Sequence, residues 1–251
     1  MGDFKINEKS VFTQSGSAEP VLASTVTGAG RLVSIQEFDS TSDTTWTRPS
    51  GVTIILVYCT GSGGVSGAGG QTHDNGGAGG SGGTAIKVYD VSGTASVTIV
   101  VGATGSAPTG VNSNDGGTSG SSTFAGPGGT ITGTGGSNGL HGNSGTAAGG
   151  NGGTASGGDI NIKGNPGGGG GDDIARWHMP PKGGASYWGG QGNVRGDDAG
   201  TYKGSTAEST SSKGAGGSGN HPAYSSGSGY DANTGIHNFA SDGYIVVFEY
   251  N

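Results

Sequence analysis

Glycine clusters in the middle and the C-terminal half of this sequence decide what the chain can fold into. Glycine fills 61 of the 251 positions, and most of these lie between residues 61 and 243. The segment Asn165–Asp173, NPGGGGGDD, has five consecutive glycines and offers no side chain to bury there. Each ordered glycine loses more backbone entropy than any other residue. Such segments are therefore a disordered linker, loops that bind a phosphate, or a structure in which backbones pack directly.

Apolar segments on both sides of the glycine clusters argue against a disordered chain. Only 12% of the residues are charged and the net charge is −7, so charge repulsion does not hold the chain open. Four segments rich in β-forming residues predict strands, and no stretch shows a sustained helical period. They are Val52–Cys59, Ala85–Val91, Ala95–Val101 and Tyr244–Tyr250. The first is apolar on both alternating faces, which predicts that both of its faces are covered.

The glycine-rich segments between these strands can form an ordered structure of their own. Extended helices with three residues per turn pack side by side when glycine lies at their contacts, and their N–H and C=O groups then bond between helices. Segments such as GGAGGSGGTA and PGGGGG suit this polyglycine II packing. The sequence therefore predicts an all-β fold, a sandwich-like β-framework with almost no α-helix. Its glycine segments are either packed polyglycine II helices or irregular loops on the sandwich.

Composition divides the chain into two parts. Residues 1–35 contain four glycines and mix polar with apolar residues, so we predict an extended N-terminal arm that attaches the protein to a partner. Residues 36–251 are predicted as one glycine-rich β domain, with variable loops at about 172–240. A turn at Arg48–Gly51, with Pro49 at its second position, introduces the first strong strand.

Several classes of site find no support in the sequence. The net negative charge disfavours nucleic-acid binding, which needs a basic surface. The glycines after Cys59 lack the third glycine of a dinucleotide fingerprint, and the Gly-Lys-Ser/Thr end of a phosphate-binding loop is absent. The five histidines and the paired aspartates do not have the spacing of metal ligands. We expect no catalytic residue, no metal and no cofactor, and no apolar run approaches the ~18 residues that membrane insertion needs.

Aromatic residues among the glycines are the candidate binding residues. Tryptophan and tyrosine are typical of recognition surfaces, since they contact sugar rings and protein loops alike. With the neighbouring histidines, the candidates are Trp177, His178, Tyr187, Trp188, Tyr202, His221, Tyr224, Tyr230 and His237. Two alternatives stay open: Trp177 and Trp188 cover the core as lids, or the aromatic residues contact other subunits.

The order of motifs along the chain resembles a known family. TWTRPSGVTIILVYCTGSGG, GGAGGSGGTA, SVTIVVGATG and SDGYIVVFEY follow one another as in the glycine-rich domain common in bacteriophage tail fibres. The N-terminal FKINEKSVFTQSGSAEPVLAST is similar to the opening of small phage virion proteins. The resemblance implies a non-enzymatic tail fibre or adhesin that binds other virion proteins through its arm. Its loops would recognise a glycan or an outer-membrane protein on the host surface.

Other functions agree with the same sequence. One alternative is a capsid decoration or head-fibre protein that stabilises or ornaments the particle. Another is a free polyglycine-helix protein of the ice-binding kind. As a virion protein the chain would be made in the host cytoplasm and located in the tail or on the capsid exterior. A homotrimer fits a fibre, although no heptad pattern requires one.

Overall fold

The computed structural model describes residues 30–69, 75–106, 108, 117–142, 146–171, 181–190, 212–219 and 240–251, and the backbone of five short strands outside these ranges. This part of the chain contains fifteen strands and no α-helix, which confirms the all-β prediction. The strands are β1 (Phe4–Ile6), β2 (Lys9–Thr13), β3 (Val21–Leu22), β4 (Leu32–Phe38), β5 (Thr45–Thr47), β6 (Ile54–Thr60), β7 (Thr84–Asp90), β8 (Ser96–Val100), β9 (Ser122–Phe124), β10 (Ile131–Gly133), β11 (Ala155–Ser156), β12 (Ile160–Ile162), β13 (Tyr224–Ser225), β14 (Gly229–Tyr230) and β15 (Tyr244–Tyr250).

Two five-stranded antiparallel sheets form a sandwich. Sheet A has the order β12-β7-β6-β15-β4, and sheet B has the order β11-β10-β9-β8-β5. Two smaller antiparallel sheets, β1-β2-β3 and β13-β14, do not pair with either of them. Sheet A thus brings the last strand of the chain between β6 and β4.

The apolar core lies between sheets A and B. Alternation along β6 explains how it forms, because Ile55, Val57 and Cys59 are fully buried on one face of the strand. Aromatic rings fill the centre, where the ring centroid of Phe124 lies 6.1 Å from that of Trp46 and 5.5 Å from that of Tyr89. The buried cluster is completed by Val52, Ala85, Val91, Val97, Ile99, Val101, Ile131, Ile245 and Val247.

The four strands predicted from apolar segments are confirmed. They correspond to β6, β7, β8 and β15. The turn before β6 lies one residue later than predicted, since the N–H of Val52 donates to Pro49 O at 3.3 Å and Gly51 has a φ of 84°. Glycine adopts a positive φ without strain, so Gly51 occupies the third turn position and fixes where the chain reverses.

Strand β4 crosses the predicted domain boundary between residues 35 and 36. It pairs with β15 from Leu32 to Phe38, so sheet A begins at Leu32, within the segment predicted as the arm. The apolar alternation that marks a strand is hidden here, because the side chains of Ser34 and Gln36 bind the buried carboxylate of Glu249 on β15.

The glycine segments pack beside the sandwich as polyglycine II helices. The N–H groups of residues 77, 78 and 79 donate to three different segments, 133–142, 163–171 and 212–219. Those of residues 80, 81 and 82 donate to the same three segments in the same order, with N···O distances between 2.8 and 3.0 Å. A repeat after three residues is the period of an extended helix with three residues per turn. The glycine segments are therefore an ordered bundle.

Segment 75–83 is the centre of this bundle. The carbonyl groups of residues 77, 78 and 79 accept hydrogen bonds from segments 61–69, 146–154 and 181–185. Together with the three segments that accept its N–H groups, segment 75–83 has six hydrogen-bonded neighbours. Glycine is required at such contacts because a Cβ on Gly79 would lie 1.8 Å from Gly64 O.

Candidate functional site

The described chain has two opposite ends. Strand β15 runs away from the bundle, and at its end Asn251 O accepts the N–H of Gly30 at 2.8 Å. Residues 30–31, into which the N-terminal segment leads, therefore lie at the end of the sandwich remote from the bundle. The turn at Pro49–Val52 and the glycines Gly128 and Gly129, both with positive φ, lie at this end too. We call this region the sandwich end.

The other end of the molecule, which we call the tip, is the end of the glycine bundle remote from the sandwich. Three backbone hydrogen bonds at the tip join six of its segments in pairs. They are Gly142 N to Ala68 O at 2.8 Å, Asn75 N to Gly171 O at 3.2 Å and Gly219 N to Pro181 O at 2.6 Å. Four crossovers begin at the tip, residues 70–74, 143–145, 172–180 and 220–239, which lie outside the described residues except for β13 and β14. The first three also return to the bundle at the tip. Crossover 220–239 returns nearer the sandwich, where Ser241 N donates to Ala215 O at 3.1 Å and Gly63 N donates to Ser241 O at 2.9 Å.

Six of the nine predicted binding residues belong to two of the crossovers that begin at the tip. Trp177 and His178 lie in crossover 172–180, outside the described residues. The others, His221, Tyr224, Tyr230 and His237, lie in crossover 220–239. Of this second group the structure describes only the backbone of Tyr224 and Tyr230, which are register partners in the β13–β14 pair.

Tyr187 and Trp188 lie on sheet A instead, at the base of the bundle, by which we mean the end of the bundle that joins the sandwich. The indole Nε1 of Trp188 donates to Thr60 Oγ1 at 2.8 Å. Its ring centroid lies 5.6 Å from that of Tyr58 and 5.1 Å from that of Tyr244. Trp188 therefore packs as a lid on the outer face of sheet A, whereas the prediction placed it over the core between the sheets.

The last predicted residue, Tyr202, lies in segment 191–211, outside the described residues. This segment leaves the described chain at Gly190 and returns at Ser212, and a Cβ on Gly189 would lie 2.7 Å from Ser212 Oγ. Both ends of the segment are thus at the base of the bundle beside Trp188. The described residues that flank the nine candidates therefore lie at both ends of the bundle.

A charged pair lies at the edge of the base. Lys213 Nζ is 2.9 Å from Asp39 Oδ2 and 5.7 Å from the ring centroid of Tyr244. The hydrogen bond and the charge of Lys213 lower the pKa of Asp39. Burial, followed by the hydrogen bond and negative charge of Glu37, raises the pKa of Tyr244. At the base, the hydroxyl of Tyr244 is therefore neutral. The side chains of Lys213, Asp39 and Tyr244 pack against one another there.

Replacing Trp188 by alanine is expected to lower the free energy of unfolding by about 2 kcal/mol, since a half-buried ring contributes less than a fully buried one. The variant loses the bond to Thr60 and the ring contacts with Tyr58 and Tyr244. Chemical denaturation measures the change. Tyr187→Ala is the matched control, because Tyr187 is 47% exposed and should cost less than half as much. Equal losses would contradict the role of Trp188 as a lid.

Cys59 gives a direct measure of how well the sandwich is closed. Its side chain is fully buried, and burial raises the pKa of its thiol to about 12. Because only the thiolate is alkylated, native protein at pH 8 should react with iodoacetamide at least a hundredfold more slowly than denatured protein. Mass spectrometry of timed samples follows the reaction. Native protein that reacts as fast as denatured protein would show that the core is open.

Two further features of the described residues bear on possible sites. No three His, Cys, Asp or Glu side chains in this part of the chain lie close enough together to hold a metal ion. No helix there has the length and apolar character needed to cross a membrane.

A comparison with protein families identifies the domain that contains the bundle. A model of a glycine-rich domain family matches residues 39–244. The chain belongs to this family. The matched region contains β5 to β14 and the segments of the bundle, whereas β4 and all but the first residue of β15 lie outside it. No curated protein matches the chain.

Part of the helix packing in the bundle of this glycine-rich domain can be predicted from its sequence. Gly61, Gly64 and Gly67 recur at every third position, and their N–H groups donate to the carbonyls of residues 83, 80 and 77. The residues between them carry small side chains. A search for glycine at every third position would have predicted that segments 61–69 and 75–83 pack side by side. It would not have shown which crossovers share the tip.

Proposed function

We propose that this protein is a non-enzymatic structural protein of a bacteriophage virion, a tail fibre or adhesin that recognises a receptor on the host surface. The observation that carries the proposal is the separation of two ends. Residues 30–31 lie at the sandwich end, where the N-terminal segment would attach to other virion proteins. Four crossovers begin at the opposite tip, where they would face the cell.

The composition of the tip crossovers supports recognition. Crossover 172–180 contains Trp177, His178 and Met179, and crossover 220–239 contains two tyrosines and two histidines. Rings with polar edges contact both sugars and protein loops, so the receptor class is a surface glycan or an outer-membrane protein. Surface glycans expose sugar rings outside the cell, and outer-membrane proteins expose loops there, so both can be contacted by such side chains.

The bundle supports the same function through its stiffness. Segment 75–83, the centre of the bundle, is held to its six neighbouring segments by backbone hydrogen bonds at every turn. A scaffold that is ordered before binding loses little further entropy when its loops engage a receptor. Several copies on one particle would raise the affinity of weak individual contacts.

Binding of the purified, fluorescently labelled protein to a panel of bacterial strains tests the proposal. We expect Trp177→Ala to weaken binding at least tenfold on a strain that binds the wild-type protein, without a change in melting temperature. Trp188→Ala is the control, since it should lower the melting temperature while its folded fraction still binds. Absence of binding to every strain that the parent particle infects, with the protein located on the capsid, would replace the proposal by a decoration function.

A further inference from the structure

Strand β4 joins the N-terminal segment to the body of the protein. It follows Gly30 at the sandwich end and runs toward the bundle, antiparallel to β15, from Leu32 to Phe38. Just after the strand, Asp39 forms the ion pair with Lys213 at the base. Tension between the N-terminal segment and the bundle therefore enters the fold along the axis of β4.

Pairing with β15 is the main attachment of β4. At the sandwich end no described segment covers the outer face of sheet A, where Ile35 on β4 is 48% exposed and Ile54 on β6 is 37% exposed. The prediction that both faces of β6 are covered is therefore wrong for this half of the strand, because the lid residue Trp188 packs near the bundle. Strand β4 is at the edge of sheet A, so among the described strands only β15 pairs with it.

Side chains reinforce this pairing from inside the sandwich. The buried carboxylate of Glu249 on β15 accepts hydrogen bonds from the hydroxyl of Ser34 and from Gln36 Nε2, both on β4. Gln36 Nε2 also donates to Thr47 O on β5 at 3.4 Å. The middle of β4 is thus tied to both sheets.

The direction of a force decides how this attachment fails. In an antiparallel pair the N–H···O=C bonds lie perpendicular to the strands. A force along β4 therefore loads all of these bonds at once, and they must break together. The two strands also meet at the sandwich end, where Gly30 N donates to Asn251 O at 2.8 Å. A force that separates these two ends breaks the bonds one after another.

We propose that β4 is a tension-bearing strap, which resists a pull between the N-terminal segment and the tip and yields to a pull that separates Gly30 from Asn251. In the first direction the seven-residue strand has to slide along β15 and break its links to Glu249 at the same time. In the second direction it peels away from the sandwich end. The strap is a property of the fold and does not depend on receptor binding.

Single-molecule force spectroscopy with two pairs of handles tests the strap. One pair is attached at the N-terminus and at Leu140→Cys, and the other at the N-terminus and at a cysteine added after Asn251. Leu140 is 46% exposed and lies two residues before Gly142, whose N–H takes part in the tip, while the native Cys59 is fully buried. The N-terminal segment is extended in both geometries, so its contribution is the same in both.

Forced unfolding reports the rate of unfolding under load, so the two geometries compare the two barriers directly. After extension of the N-terminal segment, we expect the mean rupture force between the N-terminus and Leu140→Cys to be at least twice that between the two termini. Equal forces in the two geometries, or a lower force between the N-terminus and Leu140→Cys, would overturn the proposal.

A substitution on β4 provides a second measurement in the resistant geometry. Gln36→Ala removes one link to Glu249 and keeps the backbone pairing, so it should lower the rupture force between the N-terminus and Leu140→Cys. Val100→Ala is the matched control, since Val100 is 48% exposed on β8 of sheet B and should leave that force unchanged. Equal effects of the two substitutions would show that β4 does not bear the load.

Discussion

Replacing Gly79 by alanine is expected to disrupt the centre of the glycine bundle and to lower the free energy of unfolding by about 3 kcal/mol. The new Cβ would lie 1.8 Å from Gly64 O and 2.3 Å from its carbonyl carbon. Both are backbone atoms of a hydrogen-bonded neighbour, so no flexible side chain can move aside. Segment 75–83 has neighbours on all sides and cannot shift without breaking other hydrogen bonds.

Thermal unfolding of Gly79→Ala measures this effect as a fall in melting temperature of roughly 6 to 12 °C for a chain of this size. Gly171→Ala is the matched control in the same bundle, because a Cβ there meets no atom within 4 Å. That variant should melt close to the wild-type temperature. If Gly79→Ala were as stable as Gly171→Ala, the close backbone packing at the centre of the bundle would be contradicted.

Removing the carboxylate of Glu249 should cost about 3 to 5 kcal/mol of unfolding free energy, because a buried acceptor is lost and its donors stay buried. Glu249 is fully buried on β15. Its Oε1 accepts Trp46 Nε1 at 2.8 Å and Gln36 Nε2 at 2.6 Å, and its Oε2 accepts the hydroxyl of Ser34. Because Trp46 is in sheet B, the carboxylate joins the two sheets.

Urea denaturation of Glu249→Ala and Glu249→Gln separates the lost acceptor from the lost charge. The glutamine keeps one acceptor oxygen but turns an amide N–H₂ toward a donor, so its loss should lie between those of wild type and alanine. Glu37→Ala is the control on the neighbouring strand, since Glu37 is exposed and should change stability far less. An alanine variant as stable as wild type would show that the carboxylate does not hold the sheets together.

The sequence was sufficient for the strong strands and insufficient for the weak ones. Segments such as Tyr244–Tyr250 carry enough β-branched and aromatic residues to predict a strand without tertiary information. Strand β4 escapes prediction because its inward side chains Ser34 and Gln36 are polar partners of a residue more than 200 positions away. Strands β9 to β12 have two or three residues each, too few for an alternating pattern.

The glycine bundle shows a similar limit. Composition predicts that polyglycine II helices can form, and glycine at every third position marks a contact face. Which six segments surround segment 75–83 depends on the order in which the strands of the sandwich return the chain to the bundle. Local sequence does not contain that order, so the centre of the bundle could be identified only from the structure.

For the candidate site, residue type was informative and location was not. Aromatic residues between glycine clusters were grouped as one surface, although Trp188 packs on sheet A and Trp177 belongs to a tip crossover. The two lie only eleven positions apart in the sequence. Segment 181–185, which runs along the bundle between them, separates Trp188 from the end of crossover 172–180.

Cell binding after insertion of a short epitope tag tests the central claim, that the tip recognises the host surface and the sandwich end does not. One tag is placed in crossover 143–145 at the tip, and the other in the turn at Gly128–Gly129 at the sandwich end. The account predicts that the tip insertion abolishes binding of folded protein to cells and that the turn insertion preserves it. Full binding by the tip insertion, with loss of binding by the turn insertion, would contradict it.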